Sequence, residues 1–266
     1  FHQEIVRLTG DPSQADRMAA QAPAYWGDQP FTSGPAYVGA VVVFLFLLGC
    51  IIVRGPMKWW LIAATLISFL MAWGSNAMWF SDWMIDHFPL YNKFRTPSSA
   101  LIVSSITMPI LAVLAVREWL SASPSELPPL RRKRAWYAAL GTTVGICALL
   151  ILMSNAFFSF TSPSDNQTFG QYPNLLAALR DDRHSLLTGD AFRSAVLIAL
   201  AGGALWLAYR KKIDANKTIA ILSLLVLVDL WAVDKRYLNN GNFSNRFAME
   251  DPFAGSAAHL ASQQLA

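Results

Sequence analysis

Lys93-Phe94-Arg95 sets two cations around an aromatic residue just before a long apolar run. Ammonium and guanidinium groups at such an edge can hold the phosphate of a lipid head group or of a lipid-linked substrate. Alternatively, both side chains snorkel to the surface or pair with Asp82 and Asp86 upstream. Asp82, Asp86 and His87 form a second polar group. Carboxylates there can serve as a general base or hold a divalent metal. They fit equally well on the solvated face of a helix lying at a membrane surface. Asp28, among Tyr25, Trp26 and Phe31, admits the same two readings. Asp229 differs, because it interrupts an apolar run about four residues, roughly 6 Å, inside its outer end. An acid at that depth faces a bundle interior or a water-filled cavity, or pairs with a cation such as Arg193 or Arg236. The run Arg180-Asp181-Asp182-Arg183-His184 reads as a self-paired, solvated face.

Other chemistries lack their signatures. The chain has no GxxxxGK[ST], GxGxxG, HExxH, CxxC or GxSxG motif. His2, His87, His184 and His259 are too scattered to suggest a metal site. No cofactor is therefore expected, and a divalent metal is left open rather than indicated. Cys50 and Cys147 both fall in apolar runs and read as small hydrophobes rather than a disulfide.

The elements that must position these residues follow from composition. Of the 266 residues, 54% are hydrophobic and 14% charged, with a mean hydropathy of +0.35. Soluble domains are about one-quarter charged. A disordered chain, a disulfide-rich module and most cytosolic enzymes are thereby excluded. Six nearly charge-free runs, 37–53, 59–76, 99–116, 135–153, 192–209 and 218–233, approach the roughly 20 residues that cross a bilayer. The expected fold is an all-α polytopic membrane helix bundle. Three short connections hold 11 of the 21 Lys and Arg, so the positive-inside rule makes them cytoplasmic and both chain ends outward-facing. The net charge of +4 then reports topology, and nucleic acid is not an expected partner. The outward pieces are 1–36, read as the end of a longer loop, 77–98, 154–193, and 236–266, read as the start of a further domain. Between the first and the last lies the six-helix region, 37–235. In 77–98, Phe80, Trp83, Met84, His87 and Phe88 recur at helical spacing until Pro89, predicting a short interfacial helix. In 154–193, Leu175, Leu176, Leu179, Leu186 and Leu187 are expected on one side of an amphipathic stretch, with the charged run opposite. Pro109 is expected to kink the third span, and Gly141, Gly145 and Gly202-Gly203 to allow close helix packing.

Several stretches together resemble the YfhO family of bacterial multi-pass membrane proteins. They are YWGDQPFTSGPAYVGA (25–40), RGPMKWWLIAATLISFLMAWG (54–74), YNKFRTPSSALIV (91–103) and VLVDLWAVDKRYLNN (226–240), with ALRDDRHSLL (178–187) also fitting. The resemblance covers about 25 to 240. It implies a longer protein, with this chain an internal or C-terminal part, located in the bacterial cytoplasmic membrane. It also implies similarity to the GT-C class of membrane glycosyltransferases. These transfer a sugar from a polyprenyl-phosphate carrier to an acceptor, here an envelope glycopolymer, outside the cytoplasm. In that class the catalytic acid lies in the first outward loop, which would precede Phe1. Lys93 and Arg95 then become candidates for holding the departing lipid phosphate. The alternatives are a transporter or flippase of lipid-linked saccharides using Asp229 and Pro109, and a non-catalytic scaffold of envelope assembly.

Overall fold

The computed structural model describes residues 2–11, 13, 25–27, 36–89, 91–93, 96–162, 165–238 and 243. Among them there is no strand. The helices are α1 (His2–Thr9), α2 (Ala40–Ile52), α3 (Pro56–Ala72), α4 (Met78–His87), α5 (Leu101–Ser121), α6 (Pro129–Phe157), α7 (Asp165–Phe169), α8 (Pro173–Tyr209) and α9 (Ala215–Tyr237). Short 3-10 turns cover Gly74–Ala77, Tyr91–Lys93 and Pro97–Ala100. Proline stands at the start of α3, α6 and α8. Its fixed φ suits the first helical turn, and the amide it lacks would have no partner there.

Among the described residues, four helices are long and apolar enough to cross a membrane: Pro97–Ser121, which includes α5, and α6, α8 and α9. The pair Pro56–Ala72 and Gly74–His87 passes the same test together, but is bent by 111°. α2 has 13 residues and rises about 20 Å, less than the roughly 30 Å of a hydrocarbon core. An all-helical bundle compatible with several membrane crossings is thus what these residues build.

α2 is the axis of that bundle. Its sequence, AVVVFLFLLGCII, is apolar on every side, as suits a helix surrounded by others. Val41, Phe44, Leu48 and Ile52 are fully buried. α5, α6 and α8 pack around it, α3 lies against α5, and α6 lies along α8. Gly49 lets α5 approach closely: a Cβ there would sit 2.8 Å from the Leu111 carbonyl oxygen. Gly202 does the same beside Leu140. The expected close packing at Gly141 and Gly145 is not used, since a Cβ at either would meet nothing within 4 Å. Polar bonds tie the helices together within the apolar interior: Thr65 Oγ1 to Thr107 Oγ1 (2.7 Å), Trp119 Nε1 to the Leu205 carbonyl (3.0 Å) and Trp136 Nε1 to the Gly202 carbonyl (3.0 Å). On the outer faces, Ile102, Val113, Leu152, Leu224 and Leu227 are exposed, an apolar surface suited to lipid.

α5 runs without a break from Leu101 to Ser121 with Pro109 inside it. α6 has non-helical φ and ψ at Met153, the end of the fourth expected span. α8 joins the amphipathic stretch and the fifth span in one 37-residue helix, about 55 Å long. The chain divides into two compact units, Phe1–Asp229 and Leu230–Ala266. In the second, the described residues finish α9, and the Lys235 ammonium lies 5.6 Å from the Trp231 ring centroid.

Candidate functional site

Among the described candidate acids, Asp229 is the most deeply placed. α2 enters through Gly39, whose φ of +94° is open to glycine and which has no side chain to cap the helix. The first amides of a helix have no partner within it. A carboxylate from α9 supplies one: the Ala40 N–H donates to Asp229 Oδ2 at 2.6 Å, and the Tyr37 hydroxyl donates to Oδ1 at 2.7 Å. Asp229 therefore caps α2 from another helix and places negative charge at the positive end of its dipole. α8 contributes Arg193, whose Nη2 lies 3.6 Å from Oδ1 and 3.4 Å from the Tyr37 hydroxyl. Arg193 also lies 3.9 Å from Asp190 on its own helix. Asp229 is fully buried, whereas Arg193 keeps 23% of its side chain exposed. Of the two expected partners of Asp229, the structure brings Arg193 to it.

A second buried ion pair lies where α7 meets α8. Arg183 Nη1 and Nη2 donate to Asp165 Oδ2 and Oδ1 at 2.6 and 3.0 Å, and Nη1 also bonds the Phe160 carbonyl at 2.9 Å. The Ser162 amide donates to Asp165 Oδ2 at 2.6 Å. Phe160 holds a φ of +54°, unusual for a residue with a side chain. Its ring is buried beside Trp26, Phe158 and His184, at centroid distances of 5.3, 6.0 and 5.4 Å. Burial alone would raise the Asp165 carboxyl. The Arg183 bonds, the Ser162 amide and the charges of Arg183 and Arg180 outweigh it and hold the group below its ordinary range.

This pair corrects the reading of 180–184 as a wholly solvated, self-paired face. Arg180, Asp181 and Asp182 are exposed, but Arg183 is fully buried. The buried stripe of α8 is Leu175, Leu179 and Arg183, a spacing of four, and Leu186 is exposed. A guanidinium on the apolar stripe is the signal that sequence reasoning passed over, because its partner lies 18 residues away across a proline.

The remaining candidates group around α4. Phe80 and Met84 are buried with Ala77 against Leu70, Met71 and Tyr91. Asp82 and Asp86 lie on the opposite face, and they and His87, the last residue of α4, are exposed. Trp79, Phe80, Trp83 and His87 form a ladder of rings at 5.7, 6.2 and 5.3 Å. His87 Nδ1 lies 2.9 Å from the Trp83 carbonyl oxygen. Ser81 Oγ donates to the Gly74 carbonyl at 2.9 Å and secures the corner between α3 and α4. Lys93 ends the turn Tyr91–Lys93 and is exposed. No ion pair joins it to Asp82 or Asp86 among the described residues. Arg95 and Asp28 lie outside the described residues. Lys93, Asp82, Asp86 and His87 are all exposed, whereas Asp229 belongs to the buried cap of α2. Among the described residues, no three His, Cys, Asp or Glu side chains group to hold a metal ion.

Comparison with protein-family models, with curated proteins and with solved structures finds no match for this chain.

Proposed function

We propose that this chain is the membrane-spanning part of a YfhO-like glycosyltransferase. The enzyme would move a sugar from a polyprenyl-phosphate carrier to an envelope glycopolymer at the outer face of the bacterial cytoplasmic membrane. In this reading the basic connections face the cytoplasm, α2 and the bent α3–α4 pair complete six membrane-embedded segments, and α4 lies at the outer interface. The observation that carries it is how the stretches bearing the resemblance meet. Residues 25–40 and 226–240 meet where Tyr37 and Ala40 donate to Asp229. Residues 54–74 and 91–103 meet where Ser68 Oγ donates to the Ala100 carbonyl at 2.7 Å and Pro97 lies 3.4 Å from a Cβ placed on Gly74. Stretches separate in sequence thus position each other, which supports reading them as parts of one arrangement.

The chemistry follows from charge. Departure of the lipid phosphate builds negative charge that fixed cations stabilise. Lys93, exposed in the turn that follows α4, is a candidate for this, with Arg95 two residues on in the sequence. Tryptophan rings favour the head-group layer, where that phosphate would sit. No residue of this chain is assigned as the catalytic carboxylate.

The test is sugar transfer from a labelled polyprenyl-phosphate donor by the intact protein in membranes. Lys93→Ala with Arg95→Ala should lower turnover on the order of a hundredfold, the usual effect of removing a group that stabilises developing charge. Unchanged turnover and donor affinity would remove Lys93 and Arg95 from the site. No transfer by the unaltered protein would remove the glycosyltransferase reading itself.

A further inference from the structure

The basic end of the bundle holds a groove with a volume of about 510 Å³ between the end of α2 and the first turns of α6. Its lining includes Ile51, Ala135 and Ala138 together with Arg131 and Arg134, both exposed. The spacing accounts for the shape: residues 131, 134, 135 and 138 fall on one face of a helix, and small alanines leave room beneath the two arginines. Arg131 is steered over the groove by a bond from its Nη2 to the Ile51 carbonyl at 3.3 Å. That carbonyl belongs to the last turn of α2, whose oxygens lack partners within the helix.

The charges here are not balanced from within. Glu118 lies 3.7 Å from Arg54, Glu126 accepts from the amide and hydroxyl of Ser123, and Asp214 accepts from the Lys217 amide. Neither Arg131 nor Arg134 pairs with a carboxylate among the described residues. Two uncompensated guanidiniums over an apolar floor match a molecule with an anionic head and a hydrocarbon tail.

We propose that this groove binds an anionic phospholipid of the surrounding bilayer. The phosphate sits between the Arg131 and Arg134 guanidiniums, and an acyl chain lies along Ile51, Ala135 and Ala138. Guanidinium groups suit the role because their forked donors meet two phosphate oxygens at once. Basic recesses between membrane helices hold anionic head groups in this way. The site is separate from the surface around Lys93, so it stands whether or not the chain belongs to a glycosyltransferase.

The experiment measures retention of phosphatidylglycerol and of phosphatidylcholine by the delipidated full chain in detergent, by native mass spectrometry. The unaltered protein should retain phosphatidylglycerol in preference to phosphatidylcholine. Arg131→Gln with Arg134→Gln should lower phosphatidylglycerol retention on the order of tenfold. Ala138→Phe, which fills the groove without changing charge, should lower it too. Lys211→Gln with Lys212→Gln, at a nearby basic turn, should leave it within about twofold. Equal loss in the Lys211 and Lys212 variant would mean a diffuse charge effect and overturn the site. Full retention by Ala138→Phe, or displacement by soluble glycerol phosphate at the lipid's own concentration, would overturn the seat for an acyl chain.

Discussion

Replacing Asp229 by leucine removes a cap rather than a reactive group, and the loss can be estimated from its partners. Two hydrogen bonds to a carboxylate disappear, from the Ala40 amide at 2.6 Å and the Tyr37 hydroxyl at 2.7 Å. Bonds to charged groups contribute about 1.5–3 kcal/mol each in soluble proteins. Measured pairs inside membrane proteins average only about 0.6 kcal/mol, because the unfolded chain also finds partners there. The substitution further strands the Arg193 guanidinium. Breaking a fully buried pair costs about 3–5 kcal/mol, but this arginine is 23% exposed and has Asp190 at 3.9 Å, so about 1 kcal/mol is a better figure. The expected destabilisation is about 2–4 kcal/mol. Asp229→Asn preserves shape and one acceptor, and should lose roughly half as much. The assay is reversible unfolding in mixed micelles, followed by helical circular dichroism, with amide exchange read at the start of α2. Both variants should speed exchange at Ala40, and Arg193→Gln should cost less in the Asp229→Asn background than alone. If Asp229→Leu stays within about 0.5 kcal/mol and Ala40 keeps its protection, the capping argument is wrong.

Arg183→Gln leaves the buried Asp165 carboxylate without its cation and should destabilise by about 3–5 kcal/mol, measured by the same unfolding. Because the folded Asp165 carboxyl is held below its ordinary value, its contribution is complete at neutral pH. It should be lost as pH falls below about 4 and through the depressed folded value, and Asp165→Asn should flatten that part of the stability profile. Gly49→Ala puts a methyl 2.8 Å from a backbone oxygen of α5 and should destabilise by about 1–3 kcal/mol. Gly141→Ala and Gly145→Ala meet open space and should be neutral or stabilise by about 0.5–1 kcal/mol through helix propensity.

Apolar periodicity and punctuation made much of the helical architecture legible. The run 77–88 with Pro89 at its end predicts a short helix, and α4 ends at His87. The charge-free run 135–153 ends the fourth expected span at the residue where α6 departs from helical geometry, Met153. What periodicity could not show was which polar residue reaches which. Arg183 looks solvated within RDDRH because its neighbours are charged, yet it continues the Leu175–Leu179 stripe and meets a partner in another element. The first span shortens from 37 to Ala40 for a related reason: Tyr37 leaves the helix to bond Asp229 instead. Gly141-x-x-x-Gly145 misleads in the opposite direction, since spacing shows only that a close approach is permitted. Whether a partner helix comes there depends on the rest of the bundle, and α8 uses Gly202 for the purpose.

The same distinction separates the readings of Asp229. A carrier that moves protons or cations needs an acid that exchanges partners between two states of the bundle. Asp229 joins three segments at once: Oδ1 takes the Tyr37 hydroxyl and faces Arg193, and Oδ2 takes the Ala40 amide. Releasing it would leave the Ala40 amide only its longer bond to the Tyr37 hydroxyl at 3.1 Å, and would loosen the start of the helix on which α5, α6 and α8 pack. A transport cycle would therefore have to break the central packing at every turnover. An enzyme working at the membrane surface has the opposite need, a rigid bundle beneath a polar edge. In the proposed function the chemistry belongs to the surface near α4, and Asp229 would serve it by keeping the bundle rigid.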